Sequence, residues 1–142
     1  MDLYAVVRIR GRVGVDARIR DTLKLLRLER PNHCVVVPKN PSYEGMLKKA
    51  QNYVTWGEIS EDMLKKLVFK RGRYEGDKRL GRDEAEKIAK IILEKGMKAA
   101  PIKPVFRLSP PSGGYKSVKL LYPKGDAGYR GEKINDLLKR MI

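Results

Sequence analysis

Asp83, Glu84 and Glu86 form the densest carboxylate group in this chain. A two-metal nuclease would need such residues converging in a pocket. Their setting argues for a plainer role. Asp83 and Glu86 have capping-box spacing ahead of Ile88, Ile91 and Ile92, and acids at a helix start serve its free N–H groups and its dipole. Asp126, beside Gly125 and close to Gly128, reads as a turn-forming residue rather than a metal ligand. His33 and Cys34 are adjacent and are the only residues of their types. Zinc takes four ligands, typically in paired spacings, so no metal is expected there. A Cys–His nucleophile pair is also disfavoured, because Cys34 opens an apolar run that raises a thiol pKa. Gly113-Gly114-Tyr115-Lys116-Ser117 approaches a phosphate-binding loop but departs from it. Tyr115 stands where glycine must precede the lysine, and no glycine lies five residues before it. As a loop facing RNA it still makes sense, since glycines let backbone N–H groups approach phosphate. No catalytic residue, metal or cofactor is expected.

The chemistry that remains is charge. The chain carries 32 Lys and Arg against 17 Asp and Glu, a net +15 in 142 residues, with a pI near 10.0. Such a balance suits a polyanion, because neutralising phosphates needs cations and no nucleophile. Three clusters exceed a merely solvated face. Arg8, Arg10 and Arg12 follow one strand and its loop. Lys70, Arg71, Arg73, Lys78, Arg79 and Arg82 crowd a connector with three glycines. Arg107, Lys116, Lys119, Lys124 and Arg130 punctuate the last third. Arginine is favoured where planar, bidentate phosphate recognition matters. Tyr74, Tyr115, Tyr122 and Tyr129 are interleaved with these cations and could either stack on unpaired bases or staple the fold.

The elements that must position these residues are legible. Residues 3–10 alternate, with Leu3, Ala5, Val7 and Ile9 on one face and Arg8 and Arg10 on the other. That predicts a half-buried strand with a cationic far side. Asp16 is a plausible N-cap for a helix with Ile19, Leu23 and Leu26 on its stripe, stopped by Pro31 and Asn32. Residues 34–37 form a buried strand, Ser42 is expected to cap a short helix with Met46, Leu47 and Ala50, and residues 53–59 are β-rich. This β-α-β-α-β order predicts a small sheet with helices on one face. A helix capped by Ser60 follows, with Leu64, Leu67 and Val68 inward and Gly72 at its end. The next runs from Asp83 to a C-cap at Gly96. Residues 109–131 hold five Gly and three Pro, with an apolar patch at 118–122 that could add a strand. Because fixing glycine costs entropy, this segment is expected to be the more mobile part and to be ordered by RNA. Ile134, Leu137, Leu138 and Met141 then predict a closing helix. No apolar run is long enough to span a membrane, no signal peptide is read, and one cysteine suits a reducing cytoplasm.

The stretches IRGRVGVDARIRDTLKLLRLERPNHCVVV, NPSYEGMLKKAQNYVTWGEIS and FRLSPPSGGYKSVKLLYPKGDAGYRGEKINDLLKRMI cover most of the chain. Together they resemble the ribosomal protein L-thirty family of the large subunit, in the form shared by archaeal members and the eukaryotic protein L-seven. The archaeal form fits best. The resemblance implies an α+β fold: a β-α-β-α-β core with a small antiparallel sheet, related to the ferredoxin-like fold, over residues 1–59. It also implies a helical and loop-rich C-terminal part, residues 60–142, that binds rRNA. It implies a structural constituent of the large subunit, in the cytoplasm, contacting 23S rRNA; 5S rRNA and neighbouring large-subunit proteins are candidate further partners that the sequence leaves open. No membrane and no small-molecule substrate is implied. Carried onto this sequence, Arg10, Gly11, Arg12, Arg18, Thr22 and Arg27 become RNA-facing candidates. So do Arg71, Gly72 and Arg73 in the connector, and Arg107, Ser109, Gly113, Gly114 and Arg130 in the tail. Lys70, Lys78, Arg79, Arg82, Lys116, Lys124 and Arg8 join them from the charge clusters. The competing reading is a nucleic-acid chaperone or architectural protein outside the ribosome.

Overall fold

A computed structural model describes residues 3–11 and 14–142. Arg12 lies outside the described residues. Five strands, β1 (Leu3–Arg8), β2 (His33–Pro38), β3 (Val54–Glu58), β4 (Phe106–Arg107) and β5 (Gly128–Tyr129), form one sheet in the order β4-β2-β1-β3-β5. The helices are α1 (Ala17–Leu25), α2 (Pro41–Lys49), α3 (Glu61–Arg71), α4 (Arg82–Lys95) and α5 (Ile134–Met141). β1 is central and antiparallel to both β2 and β3, with Val6 opposite Val35 on one side and Trp56 on the other. β4 adds antiparallel to β2, whereas β5 adds parallel to β3. The α+β core expected from the sequence is therefore present, and its sheet is completed from the last third of the chain.

The two helices of the β-α-β-α-β stretch lie on one face of the sheet as expected, and the later helices cover the other. Tyr4 and Val6 of β1 pack with Leu23, Leu26, Leu28 and Leu47 of the α1–α2 layer. Leu3, Ala5 and Val7 pack on the opposite side with Leu64, Leu67, Ile88, Ile92, Leu137 and Leu138 from α3, α4 and α5. A strand between two helical layers has no solvent face, so β1 is buried along its whole length. Phe106, fully buried, brings the short edge strand β4 into the second layer. Burying side chains of this size stabilises by roughly 1.5–3 kcal/mol each.

Several ends differ from the sequence expectation for local reasons. α1 starts at Asp16 as expected but stops well before Pro31. Arg27 takes a left-handed conformation (φ 63°), and its N–H donates to the Lys24 carbonyl while that of Leu28 reaches the Leu23 carbonyl. This is a Schellman ending, sealed by Leu28 packing beside Leu23. α2 is capped by Asn40, whose side chain accepts from the Tyr43 N–H, with Pro41 at the first helical position; Ser42 is already inside. α4 begins after Gly81 without a side-chain cap, so Asp83 and Glu84 act in its first turn and the expected capping box does not form. Ser60, Gly72 and Gly96 end their helices where expected. Residues 118–122 form no strand; Leu121 makes only an isolated bridge to Ala127, and Leu120 and Leu121 stay exposed. α5 is confirmed, with Ile134, Leu137, Leu138 and Met141 all fully buried. Gly57 explains how the last third closes on the sheet: a β-carbon there would meet the Gly131 carbonyl oxygen.

Candidate nucleic-acid interface

A concavity of about 960 Å³ opens between the C-terminal end of α1 and the segment leading into β4. Lys24, Arg27, Arg30, Lys103 and Arg107 line it, together with His33, Leu25 and three acids, Asp21, Glu29 and Glu75. The Schellman ending of α1 presents Arg27 to solvent at the helix C-terminus, the end that favours cations. β4 presents Arg107 outward while its neighbour Phe106 enters the core, the alternation a strand imposes. Leu25 is 75% exposed beside these cations.

The connector closes one side of this groove. Residues 73–79 form a turn in which Gly76 and Asp77 have positive φ and Arg73 bridges Arg79. Asp77 receives Lys103 at 2.7 Å and Arg107 at 2.8 Å. The Lys103 hydrogen bond, reinforced by the charges of Lys103 and Arg107, holds the Asp77 carboxyl below its usual pKa. Arg71 donates to the Arg107 carbonyl and to the Ser109 hydroxyl, tying the end of α3 to β4. His33, half-buried, has its pKa lowered by burial first and then by the cations Arg107, Arg30 and Arg8. Cys34 is fully buried, and burial pushes its thiol up to about 12, so it is a core residue as its apolar run indicates. Among the described residues, no group of three or more His, Cys, Asp or Glu is placed to hold a metal ion.

Four expected RNA-facing residues are buried, and their side chains or positions are used inside the fold. Arg8 is 3% exposed and donates to the carbonyls of Leu28, Arg10 and Gly11. It therefore organises the loops around α1, and the cationic far face expected for β1 is replaced by the α1–α2 layer. Thr22 is buried and its hydroxyl back-bonds to the Arg18 carbonyl. Gly72 is buried where a β-carbon would lie 2.4 Å from the Val68 carbonyl oxygen, so its glycine serves close packing at the end of α3. Arg130 is 7% exposed; it donates to the Thr55 hydroxyl and to both the carboxylate and carbonyl of Asp126.

Arg10, Gly11, Arg18, Arg27, Lys70, Lys78, Arg79, Arg82, Arg107, Gly113, Gly114, Lys116 and Lys124 sit at the surface, Arg10 only partly. Arg10 lies over the Tyr53 ring and Arg82 over the Phe69 ring. Arg71 and Arg73 are half-buried, and Arg73 donates back to the Gly72 carbonyl. Arg27 and Arg107, from two separate clusters, meet at the groove; Gly113, Gly114 and Lys116 line a different cleft beside α5. Lys24, Arg30 and Lys103 join the groove unforeseen. Lys24, off the apolar stripe in the last turn of α1, carried a helix-end signal; Arg30 and Lys103 converge only through the fold. Three interleaved tyrosines turn out to be staples: Tyr74 donates to Glu84, Tyr115 to Asn32 and Tyr129 to Glu58.

The protein is a cationic three-layer α+β domain with arginines from distant stretches gathered round an open groove. The sequence profile of the family described as Ribosomal protein L30p/L7e matches residues 4–54. Relatives extend that match over the whole chain. A protein of Methanosphaera stadtmanae is 47% identical over 152 aligned residues, covering 99% of this chain and 100% of its own. One of Methanococcus maripaludis is 49% identical, covering 98% and 99%. One of Nanoarchaeum equitans is 49% identical with both chains fully covered. Each is named large ribosomal subunit protein uL30. The chain belongs to this ribosomal protein family.

Proposed function

We propose that this chain is a structural component of the cytoplasmic large ribosomal subunit that binds and stabilises 23S rRNA. It would do so through phosphate contacts from its exposed arginines, lysines and glycine-rich loops. The observation that carries the reading is similarity to large-subunit proteins along the full chain, including the last third that supplies β4, β5 and α5. The groove fits it: cations from α1, the following loop and β4 surround one concavity, where a folded RNA backbone brings phosphates close together. Residues 1–59 would serve as the ribosomal core and 60–142 as the part that adds rRNA contacts. In this reading Arg10, Gly11, Arg18, Arg27, Arg107, Lys78, Arg79, Arg82, Gly113, Gly114, Lys116 and Lys124 are the phosphate-facing set, joined by Lys24, Arg30 and Lys103. No step of bond chemistry is asked of the protein.

Co-sedimentation tests this reading. The tagged chain is expected to remain with large subunits through a moderate salt wash and to crosslink to 23S rRNA from the groove. A chain that leaves the subunits at that salt while still binding free RNA or DNA would be a nucleic-acid chaperone or architectural protein instead.

A further inference from the structure

A second cleft, about 430 Å³, lies between the Gly113–Gly114 loop, the 122–126 turn and α5. That volume falls in the range of small-ligand pockets, roughly 300–1,000 Å³. Its wall includes Tyr122, the tyrosine among the four interleaved ones whose hydroxyl is not tied to an acid or amide side chain. Tyr122 is 37% exposed, and the Arg130 guanidinium lies 5.1 Å from its ring centroid. Arg130 is itself immobile. Thr55, the Asp126 carbonyl and the Asp126 carboxylate hold it at 2.8–2.9 Å, and the Asp126 carboxylate also accepts the Lys116 N–H. A ring backed by a fixed cation is a ready stacking surface, because the cation does not have to be ordered when a base arrives.

The rim supplies the rest of a nucleotide site. Lys116, Lys133 and Arg140 bring positive charge to the cleft mouth, against one solvent-exposed acid, Asp136, 4.0 Å from Lys133. Gly114 has φ 72° and open space where a β-carbon would be, so backbone can approach a ligand closely there. Arg140 donates to the carbonyls of Ser112 and Gly114, which ties the glycine loop to α5.

We propose that this cleft takes one unpaired RNA nucleotide, its base stacked on Tyr122 and its phosphate among Lys116, Lys133 and Arg140. The proposal rests on the ribosomal reading for its RNA but names what that RNA must offer: an extruded base, where the groove at α1 asks only for phosphates. Stacking on an aromatic side chain is lost roughly 5- to 100-fold when the ring is removed.

Two RNA hairpins decide the matter, one with a single bulged purine and one with that purine paired, both measured against the full chain at the same salt. The bulged hairpin is expected to bind at least about 5-fold tighter. That preference should vanish in Tyr122→Leu and survive in Tyr122→Phe, with thermal melting showing both variants folded. Equal affinity for the two hairpins, or a preference that persists in Tyr122→Leu, overturns the base pocket. Because co-sedimentation with large subunits is read separately, equal affinities in a chain that still co-sediments remove the pocket and leave the ribosomal role. A bulge preference in a chain that does not co-sediment does the reverse.

Discussion

The two edges of the sheet carry an arginine each, and they have opposite fates. At the β4 edge Arg107 projects into an open groove, paired only with the exposed Asp77. At the β5 edge Arg130 is sealed beneath Tyr122, with its nitrogens on Thr55 and Asp126. The difference follows from what lies outside each edge. On the β5 side Tyr122 of the 117–126 loop lies over Arg130 and Asp126 accepts from it, whereas beside Arg107 the connector brings only the exposed Asp77 carboxylate to the guanidinium. A buried arginine must find partners for its donors within the protein, and one that has done so has none to spare for a phosphate. Counting arginines therefore overstates the charge available at the surface, since Arg8 and Arg130 are buried.

The contrast can be broken most sharply at Arg130. Replacing it with Met would leave Asp126 buried and unpaired, which should cost about 3–5 kcal/mol. For a chain of this size that lowers the melting temperature by on the order of 10 °C. Arg107→Met should leave the melting temperature almost unchanged, because exposed ion pairs are screened by solvent. Equal losses in the two variants would show that the edges are not different in kind.

A smaller effect on stability but a large one on binding is expected from the groove. Arg27→Gln, Arg30→Gln and Arg107→Gln together should reduce the salt dependence of RNA affinity by about 2–3 phosphate contacts. Melting should change little. An unaltered salt slope would move the phosphate contacts elsewhere on the surface.

The mildest test uses His33, whose pKa is lowered by burial and by its cationic neighbours. An imidazole harder to protonate in the folded state means that the unfolded chain binds more protons as pH falls. His33 therefore contributes stability that is fully present above about pH 6.5 and lost as pH falls toward its own lower value. Melting curves from pH 7.5 to pH 5 should show a steeper acid loss for the parent than for His33→Gln. In the groove variant, which removes Arg30 and Arg107, imidazole signals in NMR titration should shift back toward the ordinary value. An unmoved titration there would mean that burial and the remaining Arg8 set it.

Local patterns made much of this architecture legible. The Ile19, Leu23 and Leu26 stripe, the apolar run at 34–37 and the C-terminal stripe at Ile134, Leu137, Leu138 and Met141 each announced an element, because amphipathic periodicity is written in neighbouring residues. The Schellman ending at Arg27 was not legible, since no glycine marks it; the helix stops there because Leu28 finds a buried site beside Leu23. The two-residue strands β4 and β5 were equally invisible. They are strands only because β2 and β3 offer free edges to them.

By itself the sequence determined a strongly cationic α+β protein with one buried cysteine, five helices and the tail motifs of its family. The tertiary structure decided which cations remain available. Arg8 alternates with apolar residues just as a solvent-facing residue would, yet the α1–α2 layer covers it. Arg27, Arg30, Lys103 and Arg107 become one groove only when β4 pairs with β2. Periodicity is a property of adjacent residues, but burial and convergence depend on contacts between residues far apart in the chain, and those are set only when the layers pack.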